Sequence, residues 1–244
     1  MIQYKIAVAA RKGGVGKTCV SCGIASVFAN RGLKVLIIDL DPQSNAAYVV
    51  GADPTAQGSA NFLLRKSVEP TEVTKNLFVL PGGLDLLSHS IQKLHPEELS
   101  DLVANLTFDA LIIDCPPGNE NLERLAFTCA DTALVVTNAH PLAVLGASRV
   151  VMDLSETRDR NRKGPKKWAL VQSQIDLRRS LDRELESQLK DNFPNVHLLL
   201  IRQDSALSLA AADRVPIMEY APTSKAAQDL ELITNWIVDG YSKN

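Results

Sequence analysis

The residues Arg11-Lys12-Gly13-Gly14-Val15-Gly16-Lys17-Thr18 stand between an apolar run, Tyr4 to Ala10, and a helix-forming stretch, Cys19 to Asn30. The run reads as a buried strand, so the chain is committed at once to a strand, a glycine-rich turn and a helix. Such a turn presents successive backbone N–H groups and a helix N-terminus, an arrangement suited to polyphosphate oxygens. Lys17 is positioned to reach β- and γ-phosphates, and the Thr18 hydroxyl to sit on Mg²⁺. The ordinary phosphate-loop pattern has a glycine where Arg11 stands. This chain has instead a second lysine, Lys12, directly before the glycines. Two ammonium groups repel when they serve the same phosphates, so Lys12 is expected to point elsewhere.

Beyond the loop, short apolar runs alternate with helical stretches, the pattern of a parallel sheet flanked by helices. Strands are expected at Tyr4–Ala10, Lys34–Leu40, Leu77–Pro81, Ala110–Asp114, Ala133–Thr137, Lys167–Gln172 and Val196–Ile201. Helices are expected near Thr18–Arg31, Pro96–Leu106, Asn121–Ala130, Leu142–Arg160, Ser180–Asn192, Ser205–Asp213 and Ser224–Tyr241. The fold class is α/β, an open, mostly parallel twisted sheet with helices on both faces. No linker or repeat divides the chain, so residues 1–244 are expected to form one domain.

In open parallel sheets ligands bind at the carboxyl ends of the strands. Two strands end there in acids: Asp39-Leu40-Asp41-Pro42-Gln43 after the second, and Asp114-Cys115-Pro116-Pro117-Gly118 after the run Leu111-Ile112-Ile113. The latter has the form of a Walker B strand, whose carboxylate holds Mg²⁺, usually through water. Asp39 and Asp41 share one face if the extension persists, where one supports the metal shell and the other orients an attacking water. The guanine-reading signature N/T-K-x-D is absent, which favours ATP.

The formal net charge of −2 argues against a strongly basic nucleic-acid surface, so any DNA affinity must come from a local patch, one that two subunits could assemble. No apolar run approaches the length of a membrane span, and no leader precedes the first strand. Cys19, Cys22, Cys115 and Cys129 fit a reducing compartment. Cys19 and Cys22 form a C-x-x-C, but no second Cys/His pair follows, so both are read as packing residues.

Together the motifs resemble those of the ParA/MinD family of deviant-Walker ATPases, specifically its small ParA branch. The matching pieces are Lys12 to Thr18, Val35 to Gln43, Ile112 to Pro117, and a late stretch, Val215 to Tyr220 with Pro222, Ser224, Ala226 and Ala227. The resemblance implies a slow, partner-stimulated ATPase using ATP and Mg²⁺. Two subunits would close face to face around two nucleotides, with Lys12 reaching the partner's phosphates. Lys12, Gly13, Gly14, Val15, Gly16, Lys17, Thr18 and Cys19 would bind nucleotide. Lys12, Lys17 and Asp41 would be catalytic, Asp41 by positioning water, and Thr18, Asp39 and Asp114 would support the metal.

By the same resemblance, the ATP dimer would bind nonspecific double-stranded DNA through Arg178, Arg179 and Arg202. A ParB-like or cargo adaptor would trigger release, and the protein would be cytoplasmic and nucleoid-associated. It would thereby segregate or position a plasmid, a chromosome region or a protein cargo. Two departures stand out: Cys19 replaces a hydroxyl residue, and Arg11 occupies a position more often held by a polar amide. One alternative is a MinD-like membrane-associated ATPase. The acids Asp229, Glu231 and Asp239 on the last helix oppose it, and the stripe Ala226, Leu230, Ile233 and Ile237 reads as core. The other alternative is a metabolic P-loop enzyme, which would need no DNA patch. The basic run from Arg158 to Lys167 reads as a solvated helix end and loop.

Overall fold

The computed structural model describes residues 2–241. The chain begins β1 (Tyr4–Ala9), α1 (Lys17–Asn30), β2 (Val35–Asp39), α2 (Asn45–Val50), α3 (Ser59–Leu63), β3 (Thr71–Thr74) and β4 (Leu77–Leu80). A 3₁₀ turn (Leu84–Leu87) leads to α4 (His89–Gln92), α5 (Glu98–Val103), β5 (Ala110–Asp114), α6 (Glu120–Cys129) and β6 (Thr132–Thr137). The rest comprises α7 (Pro141–Asp159), β7 (Lys167–Ile175), α8 (Ser180–Asn192), β8 (His197–Arg202), α9 (Ser205–Asp213), α10 (Ile217–Tyr220) and α11 (Lys225–Tyr241).

The strands form one eight-stranded sheet in the order β3-β4-β2-β5-β1-β6-β7-β8. Every pairing is parallel except β3 with β4. The strands β2, β5 and β6 are buried along their whole length, as both-face coverage by helices demands. Alternate residues serve opposite layers. Ile6, Val8, Ile37 and Ile112 pack with α1 and α11, whereas Ala7, Leu36, Ile38, Leu111 and Ile113 pack toward α5 and α6. A third cluster joins Val135 and Leu170 to α7 and α8.

The apolar stripe of α11 is core: Ala226, Leu230 and Ile237 are 0% exposed and Ile233 1%. Leu230 lies so close to α1 that a Cβ on Gly23 would sit 2.5 Å from its Cδ1. Among the described residues no helix is long and apolar enough to cross a membrane.

The expected strands all form, with ends displaced by a few residues. One strand escapes sequence reading: β3, four residues at the antiparallel edge, too short to show an alternation. The expected helix at Pro96–Leu106 is confined to Glu98–Val103, and α2, α3, α4 and α10 are too short to carry a helical period.

Candidate nucleotide site

The site is built where β1, β2 and β5 end together. β5 pairs with both neighbours, and its register sets Asp114 beside Asp39 of β2 and Val8 of β1. The loop after β1 then turns over these acids. Its backbone is left-handed at Gly14 (φ +77°) and Gly16 (φ +87°), a conformation that side chains resist. Gly16 hands the chain to α1, whose first residue, Lys17, is thereby aimed back at β5.

Asp114, fully buried, is the hub. Lys17 donates from Nζ to its Oδ1 at 3.0 Å, Thr18 Oγ1 donates to Oδ2 at 2.8 Å, and Ser21 Oγ donates to Oδ1 at 2.8 Å. Burial disfavours the Lys17 charge, but the adjoining Asp114 carboxylate outweighs it, and the ammonium is held above its ordinary value. Ser21 is a site residue that motif reading missed. The available signal is its spacing, one turn after Lys17 on the same helix face.

Asp39 is equally buried and accepts backbone N–H bonds from Asp41 (2.8 Å) and Ala46 (2.9 Å). Burial, then the proximity of Asp114, pushes its carboxyl up to about 8. Asp41 stands with Oδ2 4.0 Å from Lys17 Nζ and accepts from the Gln43 N–H at 2.9 Å. A side chain at Gly82 would collide with the Asp41 carbonyl, so the turn after β4 closes tightly under this segment. Lys17, Asp39, Asp41, Thr18 and Asp114 therefore converge as expected. Lys12 does not join them. It is exposed, as are Gly13 and Gly14, and it makes no ion pair among the described residues.

The opposite wall was not legible in the motifs. The pairing of β7 with β8 shifts between Gln172 and Ile175, with Gln174 at φ 59°, an irregularity of the kind that re-aims side chains near sites. The Ser173 hydroxyl donates to the Val15 carbonyl, and Gln174 Nε2 reaches the Gly14 carbonyl at 3.4 Å. Beyond them opens a cavity of about 920 Å³ lined by Gly16, Cys19, Asn138, Gln174, Gln203 and Asp204, among others. It adjoins the phosphate loop at Gly16 and Cys19.

The cysteines behave as packing residues. Cys22 is buried and its thiol donates to the Ala46 carbonyl at 3.7 Å; burial pushes it and Cys115 well up. Cys19 is partly buried, and burial followed by Asp114 raises its thiol too.

The two arginines after β7 and the one that ends β8 differ. The Arg178 side chain is 90% exposed and Arg179 63%, both near Asp176, whose carboxyl the Arg178 hydrogen bonds hold below the usual range. Arg202 is instead engaged by Asp229 of α11, with Nη2 2.7 Å and Nε 2.9 Å from its two oxygens, and it also donates to the Lys225 carbonyl. An aspartate only 7% exposed thus competes for the guanidinium.

The family model AAA_31, described as an AAA domain, matches residues 3–166. The chromosome-partitioning ATPase Soj of Thermus thermophilus is 29% identical over 229 residues, spanning 91% of this chain and 90% of its own. Apo McdA from Cyanothece superposes with a TM-score of 0.82 at 18% identity, over 96% of this chain and 99% of that one. The septum site-determining protein MinD of Pyrococcus horikoshii, complexed with Mg-ADP, gives a TM-score of 0.79 at 24% identity, over 95% and 94%. With a phosphate loop built on β1, a paired lysine and aspartate beneath it and this sheet order, the chain belongs to the ParA/MinD family of ATPases.

Proposed function

We propose that this protein is an ATP-dependent dimerising ATPase that binds nonspecific DNA in its ATP state and partitions or positions a cargo. The observation that carries the reading is the division of labour between two lysines. Lys17 is locked to Asp114 beneath the loop, whereas Lys12 stands exposed at the loop's outer edge. A lysine in that position is free to meet the phosphates of a second subunit docked face to face, which would make dimer closure depend on nucleotide.

ATP phosphates would lie along the N–H groups from Gly13 to Cys19, with Lys17 exchanging part of its Asp114 contact for phosphate oxygens. Thr18, Asp39 and Asp114 fit Mg²⁺: two buried carboxyl groups beside a hydroxyl form a hard oxygen donor set. Among the described residues no group of three or more His, Cys, Asp or Glu forms a metal cluster. When bound, the ion would neutralise charge building on the phosphates. Asp41, buried and held by the Gln43 N–H, would orient the water for in-line attack.

DNA contact is assigned to Arg178, Arg179 and Arg202, doubled across the dimer. The Arg202 contact requires its pair with Asp229 to open, so the first two carry the assignment. The name of the Thermus relative, a chromosome-partitioning ATPase, supports partition as the task. A ParB-like or cargo adaptor would stimulate hydrolysis and release the nucleoid. The deciding experiment is binding of a random-sequence duplex by Asp41→Ala with ATP, ADP or no nucleotide, across a salt series. Tight, salt-sensitive binding with ATP alone is expected. An ATP dimer without DNA affinity would overturn the DNA assignment.

A further inference from the structure

Arg11 stands apart from the Asp114 hub and pairs with three carboxylates outside it. Its side chain leaves the nucleotide edge and enters a cavity of about 690 Å³ between α6 and α7. There Nη2 lies 2.7 Å from Asp153 of α7 and 3.8 Å from Glu123 of α6, and Nη1 lies 3.7 Å from Glu120. Room for the stem comes from Gly146: a Cβ there would lie 3.2 Å from Arg11 Cβ. Glu120 and Glu123 belong to the first turn of α6, which follows the short turn after Asp114.

We propose that Arg11, Glu123 and Asp153 form a positioning clamp that fixes the loop's entrance, and with it Lys12, against the helix that follows Asp114, and that protonation of Glu123 loosens the clamp. Arg11 is bonded to Lys12, so an anchored guanidinium restrains the backbone that carries the exposed lysine. The clamp couples the two segments that flank the phosphates on either side of the loop.

Charge count supports the proton sensitivity. One guanidinium faces three carboxylates, and Glu123 is the buried member, 4% exposed. Burial pushes its carboxyl up to about 7; Arg11 opposes that shift, and Asp153 and Glu120 add to it. The other acids of the cavity have cations of their own: Lys163 meets Glu97 at 3.0 Å and Arg160 meets Glu156 at 2.6 Å. Arg124, Arg162 and His95 also line it. Ionised, Glu123 joins Asp153 in holding Arg11; protonated, it leaves Asp153 alone with the exposed Glu120. The clamp therefore tightens as pH rises through about 7.

This inference rests on Lys12 acting across the ATP dimer, so the test includes that residue. ATP-dependent dimerisation and steady-state turnover are measured between pH 6 and 8 for the wild type, Glu123→Gln, Arg11→Gln, Arg11→Lys and His95→Gln, with Lys12→Ala alongside. Wild type divided by Glu123→Gln should rise about fivefold from pH 6 to 8, the size of one weakened charge-assisted contact. Arg11→Gln should lower kcat and leave the KM for ATP within about twofold, with Arg11→Lys restoring part of kcat. His95→Gln should keep the wild-type profile. An unchanged profile in Glu123→Gln, with Lys12→Ala unable to dimerise, overturns the clamp alone. An ATP dimer unaffected by Lys12→Ala overturns the reading beneath it. A KM effect equal to the kcat effect in Arg11→Gln, with an unchanged melting temperature, assigns Arg11 to nucleotide binding and also overturns the clamp.

Discussion

The centre of the sheet's carboxyl edge and its β8 end are built differently. At β1, β2 and β5 the functional groups are fixed by backbone: strand register sets Asp39 beside Asp114, and buried N–H groups hold Asp39. At β7 and β8 they are held by side chains, arginines whose positions depend on which aspartate they meet. A phosphate site needs groups fixed within a fraction of an ångström, and rigid elements provide that. A surface that meets DNA through charge tolerates mobility, because phosphate contacts position without reading sequence.

The contrast makes Asp114→Ala the most damaging substitution. It removes the acceptor of Lys17, Thr18 and Ser21 and leaves the buried Lys17 ammonium with only the Asp41 oxygen 4.0 Å away, at a cost of about 3–5 kcal/mol. A melting temperature lowered by roughly 10 °C is the expected reading, and an unchanged one would mean the backbone does not depend on the hub. Next, Lys17→Ala should cut ATP turnover by about a hundredfold or more, measured at saturating ATP and Mg²⁺. Surviving turnover would mean that the loop holds its phosphates without this lysine.

Effects shrink toward β8. Asp229→Ala should cost about 1–2 kcal/mol, since the Arg202 partner stays partly solvated, and it should also free that guanidinium. Higher DNA affinity in this variant would make Arg202 a latent contact, and lower affinity would make it a strut. Smallest are Arg178→Ala and Arg179→Ala, each expected to leave stability unaltered and to reduce the salt slope of DNA binding by about 0.9 for each phosphate no longer neutralised. Equal slopes for the variants and the parent protein would remove this loop from the DNA surface.

What the sequence disclosed follows the same division. The phosphate loop, Asp39 and Asp114 were legible because glycine conformation, a buried strand and a terminal acid each leave a mark on residue order. Ser21 was hidden because a serine in a buried helix resembles any small packing residue. Ser173 and Gln174 were hidden because their role comes from a local shift in β7 pairing, which no spacing announces. The fate of Arg202 was also out of reach. It depends on Asp229, a residue whose acidity reads in sequence as a solvated helix charge but which is buried beneath the end of β8.

The contact between Gly23 and Leu230 has a consequence for how the molecule comes into being. The helix that starts at Lys17 is made early, but much of its apolar face is covered by the last helix. A chain still on the ribosome therefore holds its phosphate loop on a half-covered support until residues near 230 have emerged. A product truncated before Leu230 would carry the phosphate loop and both acidic strand ends and still lack the packing beneath the first helix.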